Sequence, residues 1–279
     1  FCYETLKIPS QKKKLFNLRK SVVVYYEENF PIKEIHKLVR EREPVNIGMV
    51  GDGSFYSGNK LQTEFGYRKG AYGILSKKYY PERTPPNIMI YAETIFKGAP
   101  TTVHVINAIA PALDDLNQPD VRFYKVNSGK SDFNYKRIAN AFKKLYSRIF
   151  DVALNHKFKT IIWIGKIGGN AFWHLPKRSF DDVIYNTVFK KVCKKYKKHI
   201  KIKETTYPSF DIHKDLAKMS VAKLRSSVFV NAWDCWSIVG NGNCGDKSCD
   251  GAFGCNSCLQ FLTWPETNSE MSYSLFPNI

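Results

Sequence analysis

Negative charge, long apolar runs and regularly paired cysteines are what this 279-residue chain has least of. Only 25 Asp and Glu stand against 43 Lys and Arg, a formal charge of +18, so the surface attracts polyanions: nucleic acid, acidic membrane or an acidic protein patch. No apolar run reaches the roughly 18 residues of a membrane-spanning helix, and the opening FCYETLKIPSQKKK lacks the apolar core of a signal peptide. The expectation is a soluble chain in a reducing compartment, either the cytosol or a host cytosol reached by a secreted effector. Repeats and low-complexity linkers are also missing, which sets solenoids and disordered tails aside.

The cysteine pattern is uneven. Cys2 and Cys193 stand alone, while Cys235, Cys244, Cys249, Cys255 and Cys258 crowd together near the end of the chain. Structural zinc sites bring two ligand pairs, and here only Cys255 and Cys258 form a CxxC. The odd total of seven fits a disulfide framework poorly, and a chain of this size does not need one. Reduced, structural thiols are the expectation, with no metal assigned to them.

What the chain does have is 43% hydrophobic and 14% aromatic content, enough for a large core. Short apolar runs at 45–50, 87–91, 103–108, 121–124, 160–164, 200–204 and 228–230 predict strands. Apolar residues at helical spacing predict helices over 31–40, 135–156 and 212–224, and a helical pattern also runs from Phe180 through Val192. Helices separating short strands imply an α/β fold: a mixed, mostly parallel sheet with helices on both faces. Residues 1–40 read as a basic N-terminal extension and helix, and 41–279 as the α/β domain. Much of the positive charge lies in two runs, 12–20 and 190–203, and in the second the lysines take the outward face of a helix.

Three loops follow predicted strands and carry chemistry. After 45–50 comes Gly51-Asp52-Gly53, continuing to Gln62 and Glu64; Asp52 suits either an adenine amine or its own turn. After 160–164 comes Gly165-Lys166-Ile167-Gly168-Gly169 with Phe172, a loop able to wrap a diphosphate while a ring covers a sugar or base. After 228–230 come Asn231, Asp234, Gly240, Asn241, Gly242, Asn243, Asp246 and Asp250, where amides and carboxylates could orient a ribose or activate water. Asp250 is equally a helix N-cap and Asp234 an Asx-turn residue on this reading. His104 reads as an inward strand residue and His174 as a loop residue.

Taken together, these blocks resemble the macrodomain family. Asn231-Ala232 followed by Gly240, Gly242 and Asp250-Gly251-Ala252 is similar to that family's Asn-Ala turn and glycine-rich loop. TVHVINAIAP at 102–111 is similar to its central strand, and Gly165, Ile167-Gly168-Gly169 and Phe172 to its diphosphate loop. The three blocks span roughly half of the chain, but the Asn-Ala block comes last here instead of first, which requires a permuted order or a divergent branch. The segment 53–65 faintly resembles an element of poly(ADP-ribose) glycohydrolases through Gln62 and Glu64, and the loop after Asn231 resembles bacterial effector macrodomains that act on ADP-ribosylated ubiquitin.

The resemblance implies a macrodomain-like three-layer fold and an ADP-ribosyl hydrolase. ADP-ribose would lie against Asp52, Gly53, Gln62, Gly165, Gly168, Gly169, Phe172, Asn231, Gly240, Asn241, Gly242 and Asn243. Asp234, Asp246, Asp250 and Glu64 are the candidate catalytic carboxylates. No cofactor is required, although the aspartates would accept magnesium. The implied partner is an ADP-ribosylated protein, ubiquitin among them, and the basic surface would contact a polyanion. A non-catalytic ADP-ribose reader, or a basic nucleic-acid-binding protein with a cysteine zinc site, are the other classes open to the sequence.

Overall fold

A computed structural model describes residues 2–6, 22–26, 89–94, 99–108, 110–111, 113, 119–126, 132–169, 172–205 and 212–232. These build one seven-stranded sheet, in the order β1-β2-β3-β4-β7-β5-β6. The strands are β1 (Cys2–Leu6), β2 (Val22–Tyr26), β3 (Met89–Thr94), β4 (Val103–Ala108), β5 (Thr160–Ile164), β6 (Lys201–Thr205) and β7 (Ser227–Ala232). β1 to β4 pair antiparallel, while β4, β7, β5 and β6 pair parallel. The sheet is therefore divided evenly at β4, with only its second half having the parallel character that the sequence suggested for most of it. β1 and β2, from the stretch set apart as an N-terminal extension, are paired onto the same sheet as β3.

The central strands are the apolar, β-branched ones. β4, β5 and β7 are buried almost along their whole length, as strands covered on both faces must be. β6, KIKET, carries its lysines at the sheet's edge, where charge discourages pairing with another chain. Alternation divides the core in two. Ile106, Ile161, Trp163, Val228 and Val230 face one way, and Val103, Val105, Ile162, Ile164 and Phe229 the other.

The first face is covered by α2 (Tyr135–Asn155) and by a π-helical stretch (Asp181–Phe189) that runs into α3 (Lys190–Tyr196). α2 starts where Asn134 caps it, accepting the Arg137 N–H at 3.0 Å, and buries Ile138, Phe142, Leu145, Ile149 and Val152. The two helical segments run parallel. Phe142 meets Phe180, Tyr146 meets Phe189 and Phe150 stacks on Tyr196, at ring separations of 5.8, 5.1 and 4.7 Å. Each such ring contributes about 1.5–3 kcal/mol by leaving water. The predicted lysine face holds: Lys190, Lys191, Lys194 and Lys195 are exposed around buried Val192 and Tyr196.

The second face is covered by two short helices, α4 (Ile212–Ala217) and α5 (Val221–Arg225), through Leu216 and Leu224, with Met219 from the turn between them. The sequence pattern predicts one helix here. Ser220 divides it, with an extended backbone (φ −63°, ψ 151°) and a side chain that caps the Lys223 N–H. Residues 121–124, expected as a strand, instead belong to helix α1 (Pro119–Tyr124). Pro119 and Asp120 are residues of a first helical turn, and Val121 and Tyr124 are buried three positions apart. The expected strand at 45–50 and helix at 31–40 lie outside the described residues.

Candidate functional site

β4, β7, β5 and β6 run the same way, so their carboxyl ends form one edge, where open α/β sheets hold ligands. The two central strands end alike. Ile106-Asn107-Ala108 of β4 lies in register with Val230-Asn231-Ala232 of β7, residue by residue. Both asparagines are essentially fully buried, and the Asn231 amide donates to Asn107 Oδ1 at 2.9 Å. Asn107 Nδ2 has no hydrogen-bond partner among the described residues. A buried donor left without a partner costs about 1–3 kcal/mol, so among the described residues this amide is an unsatisfied group at the carboxyl edge of the parallel strands.

Next to Asn231's strand, β5 runs into the glycine loop. The Gly165 N–H bonds Thr205 of β6 at 3.0 Å, and the Gly169 N–H bonds Lys166 O at 2.9 Å. That second bond closes a turn with Gly168 at its third position, and a type II turn requires the positive φ that Gly168 supplies (79°). Gly168 is also tightly enclosed. A Cβ there would lie 2.5 Å from Phe142 Cε1 and 2.9 Å from Ala110 Cβ, and one on Gly169 would lie 2.9 Å from Phe180 Cδ1. Packing on α2 and the π-helical stretch thus accounts for both glycines, whatever they bind. The Gly169 and Phe172 N–H groups are taken up locally, while those of Lys166, Ile167 and Gly168 have no backbone partner among the described residues.

Lys166, between these glycines, was not singled out by sequence. Its Nζ grips both oxygens of Asp181 at 2.6 and 2.7 Å and lies 4.5 Å from the Tyr185 ring centre. With Lys177, Arg178 and Trp173 it lines an open pocket of about 520 Å³ beside the loop. Trp173 is fixed by its indole N–H on Arg178 O at 2.9 Å. The His174 N–H, bonded to Leu113 O at 2.8 Å, ties the segment back to the chain beyond β4.

Of the residues chosen from sequence, the structure places Asn231, Gly165, Gly168, Gly169 and half-buried Phe172 along this edge or in the loop that leaves it. Asp52, Gly53, Gln62, Glu64, Asp234, Gly240, Asn241, Gly242, Asn243, Asp246 and Asp250 lie outside the described residues. Asn107 was the residue missed, although its signal was present: an amide inside an apolar strand run, in a tripeptide nearly repeated at β7.

At the opposite end of β4 lies a second polar cluster. Tyr91 donates to Glu93 at 3.0 Å, so its oxygen accepts from His104 Nδ1 at 2.9 Å, and Tyr25 bonds His156 at 2.8 Å. Burial, then the Glu93 carboxylate, pushes the Tyr91 hydroxyl far above the usual range. Half-buried Cys193 is a free thiol, pushed up to about 12 by burial and by Glu204, which disfavours its thiolate at neutral pH. Among the described residues no group of three His, Cys, Asp or Glu is placed to hold a metal, and no helix is long and apolar enough to cross a membrane. Compared with family models and with curated proteins, the sequence matches none.

Proposed function

We propose that this protein binds ADP-ribose at the carboxyl edge of its parallel strands and hydrolyses the bond at the distal ribose of an ADP-ribosylated macromolecule. The observation that carries the reading is the convergence on one edge of the buried Asn107–Asn231 pair and the Gly165–Gly169 turn on the neighbouring strand. The amides suit ribose hydroxyls, and the N–H groups of residues 166–168, which have no backbone partner among the described residues, suit diphosphate oxygens; the Lys166 ammonium beside them is held by Asp181. Hydrolysis at the anomeric carbon passes through a cation-like state, which a carboxylate from Asp234, Asp246, Asp250 or Glu64 would stabilise while orienting water. Magnesium held by those aspartates, and ubiquitin as the modified protein, belong to the same proposal.

Calorimetry with ADP-ribose tests the pocket. Binding is expected in the wild type and should weaken at least about tenfold in Asn231→Ala, which removes the partner of Asn107. No heat at millimolar ADP-ribose would sink the reading. Release of ADP-ribose from a modified protein, lost in Asp234→Ala or Asp250→Ala while binding persists, separates a hydrolase from a reader.

A further inference from the structure

On the solvent side of the parallel helices lies a groove of about 410 Å³, remote in character from the ligand edge. One wall is the Ala139, Asn140, Lys143 and Ser147 face of α2. The other is Thr187, Val188, Lys191, Val192 and Lys195, on the π-helical stretch and α3. Lys191 and Lys195, four residues apart on a helix, follow one another at about 6 Å along the wall. Among the described residues no carboxylate lines the groove, so its three ammonium groups meet no negative charge there. Its floor is apolar, made by Ala139, Val188 and Val192.

We infer that this groove docks an acidic, amphipathic peptide segment of a partner protein. The charge selects carboxylates, and the floor decides among anions. A nucleic-acid backbone has nothing to set on Ala139, Val188 and Val192, and among the described residues the groove offers neither the aromatic faces that stack bases nor the arginine forks that grip phosphates bidentately. A helical or extended segment bearing Asp or Glu on its flanks and an aliphatic side chain between them satisfies both the lysine rim and the floor, as amphipathic peptides do in helix-lined grooves. The proposal does not depend on ADP-ribose binding, since none of these residues belongs to the ligand edge.

The test is fluorescence polarisation of the full chain with a labelled peptide of alternating Glu and Leu. Binding should weaken about tenfold in the triple variant Lys143→Gln, Lys191→Gln, Lys195→Gln, since exposed charge pairs contribute modestly but together. The variant Lys159→Gln, Lys218→Gln, Lys223→Gln, with the same net charge, should bind within about twofold of wild type, and circular dichroism checks that both variants are folded. A Gln–Leu peptide and poly-Glu should each bind more weakly than the Glu–Leu peptide. Equal losses in the two variants, or single-stranded oligo-dT displacing the peptide from this groove at lower concentration than the peptide itself binds, would overturn the proposal.

Discussion

Gly165 and Gly168 sit three residues apart with nearly the same left-handed backbone, φ 70° and 79°, yet a methyl group would cost them different amounts. At Gly165 a Cβ meets nothing within 4 Å, so Gly165→Ala carries only the conformational term, about 1–2 kcal/mol. At Gly168 the same term is joined by overlap with Phe142 and Ala110, and Gly168→Ala should lose about 3 kcal/mol or more. Urea unfolding of the two variants measures the difference, and equal losses would show that α2 yields to the intruding methyl. The glycines of this loop were read from sequence as a loop able to wrap a diphosphate, but their packing role was not legible, because Phe142 and Phe180 reach them only through folding. Asn107 shows the same limit. Its partner Asn231 is 124 residues away, and only strand register makes the two a pair.

Among the elements, β4, β5 and β7 were read within a residue or two, and α2 almost to its ends, because burial on one or both faces leaves a strong pattern. Two errors fell where a local device overrides periodicity, Pro119 and Asp120 starting α1 and Ser220 interrupting what reads as one helix, and β1 and β2 were not read as strands at all. The contact of α2 with the π-helical stretch and α3 has its own pH signature. The Cys193 thiol is pushed up to about 12 by burial and Glu204, Tyr196 to about 12 by burial and its bond to Asp151, and Tyr185 to about 12 by its bond to Glu204 and burial. These groups keep protons in the folded chain that the unfolded chain releases above its ordinary values of 9.0 for the thiol and 10.0 for the phenols. Their contribution is therefore complete below about pH 9 and is lost as pH rises towards 12. Urea midpoints followed upward from neutral pH should fall across that window, and the onset should move to higher pH in Cys193→Ala. A flat profile to the top of the window would show that these protons are not coupled to folding.

At the scale of the molecule, the described sheet joins an antiparallel half to a parallel half at β4, and β7 lies between β4 and β5. Backbone amides in β4, β7 and β5 have strands on both sides and helices on both faces, so they should open only with global unfolding. Hydrogen–deuterium exchange followed by mass spectrometry should find these three strands the slowest of the described chain, and β1 and β6, at the two edges, faster. If β4 exchanged as fast as β1, the two halves would not be one cooperative unit. The α/β class was legible from the alternation of elements, but the antiparallel half was not, because neither pairing partner nor strand direction is written in local sequence.

The strand that completes the middle of this sheet is also the last one made among the described residues. As the chain leaves the ribosome, β4 and β5 are synthesised without the neighbour that will join them, and about 60 residues separate the end of β5 from the start of β7. Until β7 arrives, two apolar strands present unpaired edges of the kind that recruit other chains. A nascent chain stalled before Ser227 would thus be a substrate for chaperones or for aggregation, and the Asn107–Asn231 pair would form only when the sheet closes.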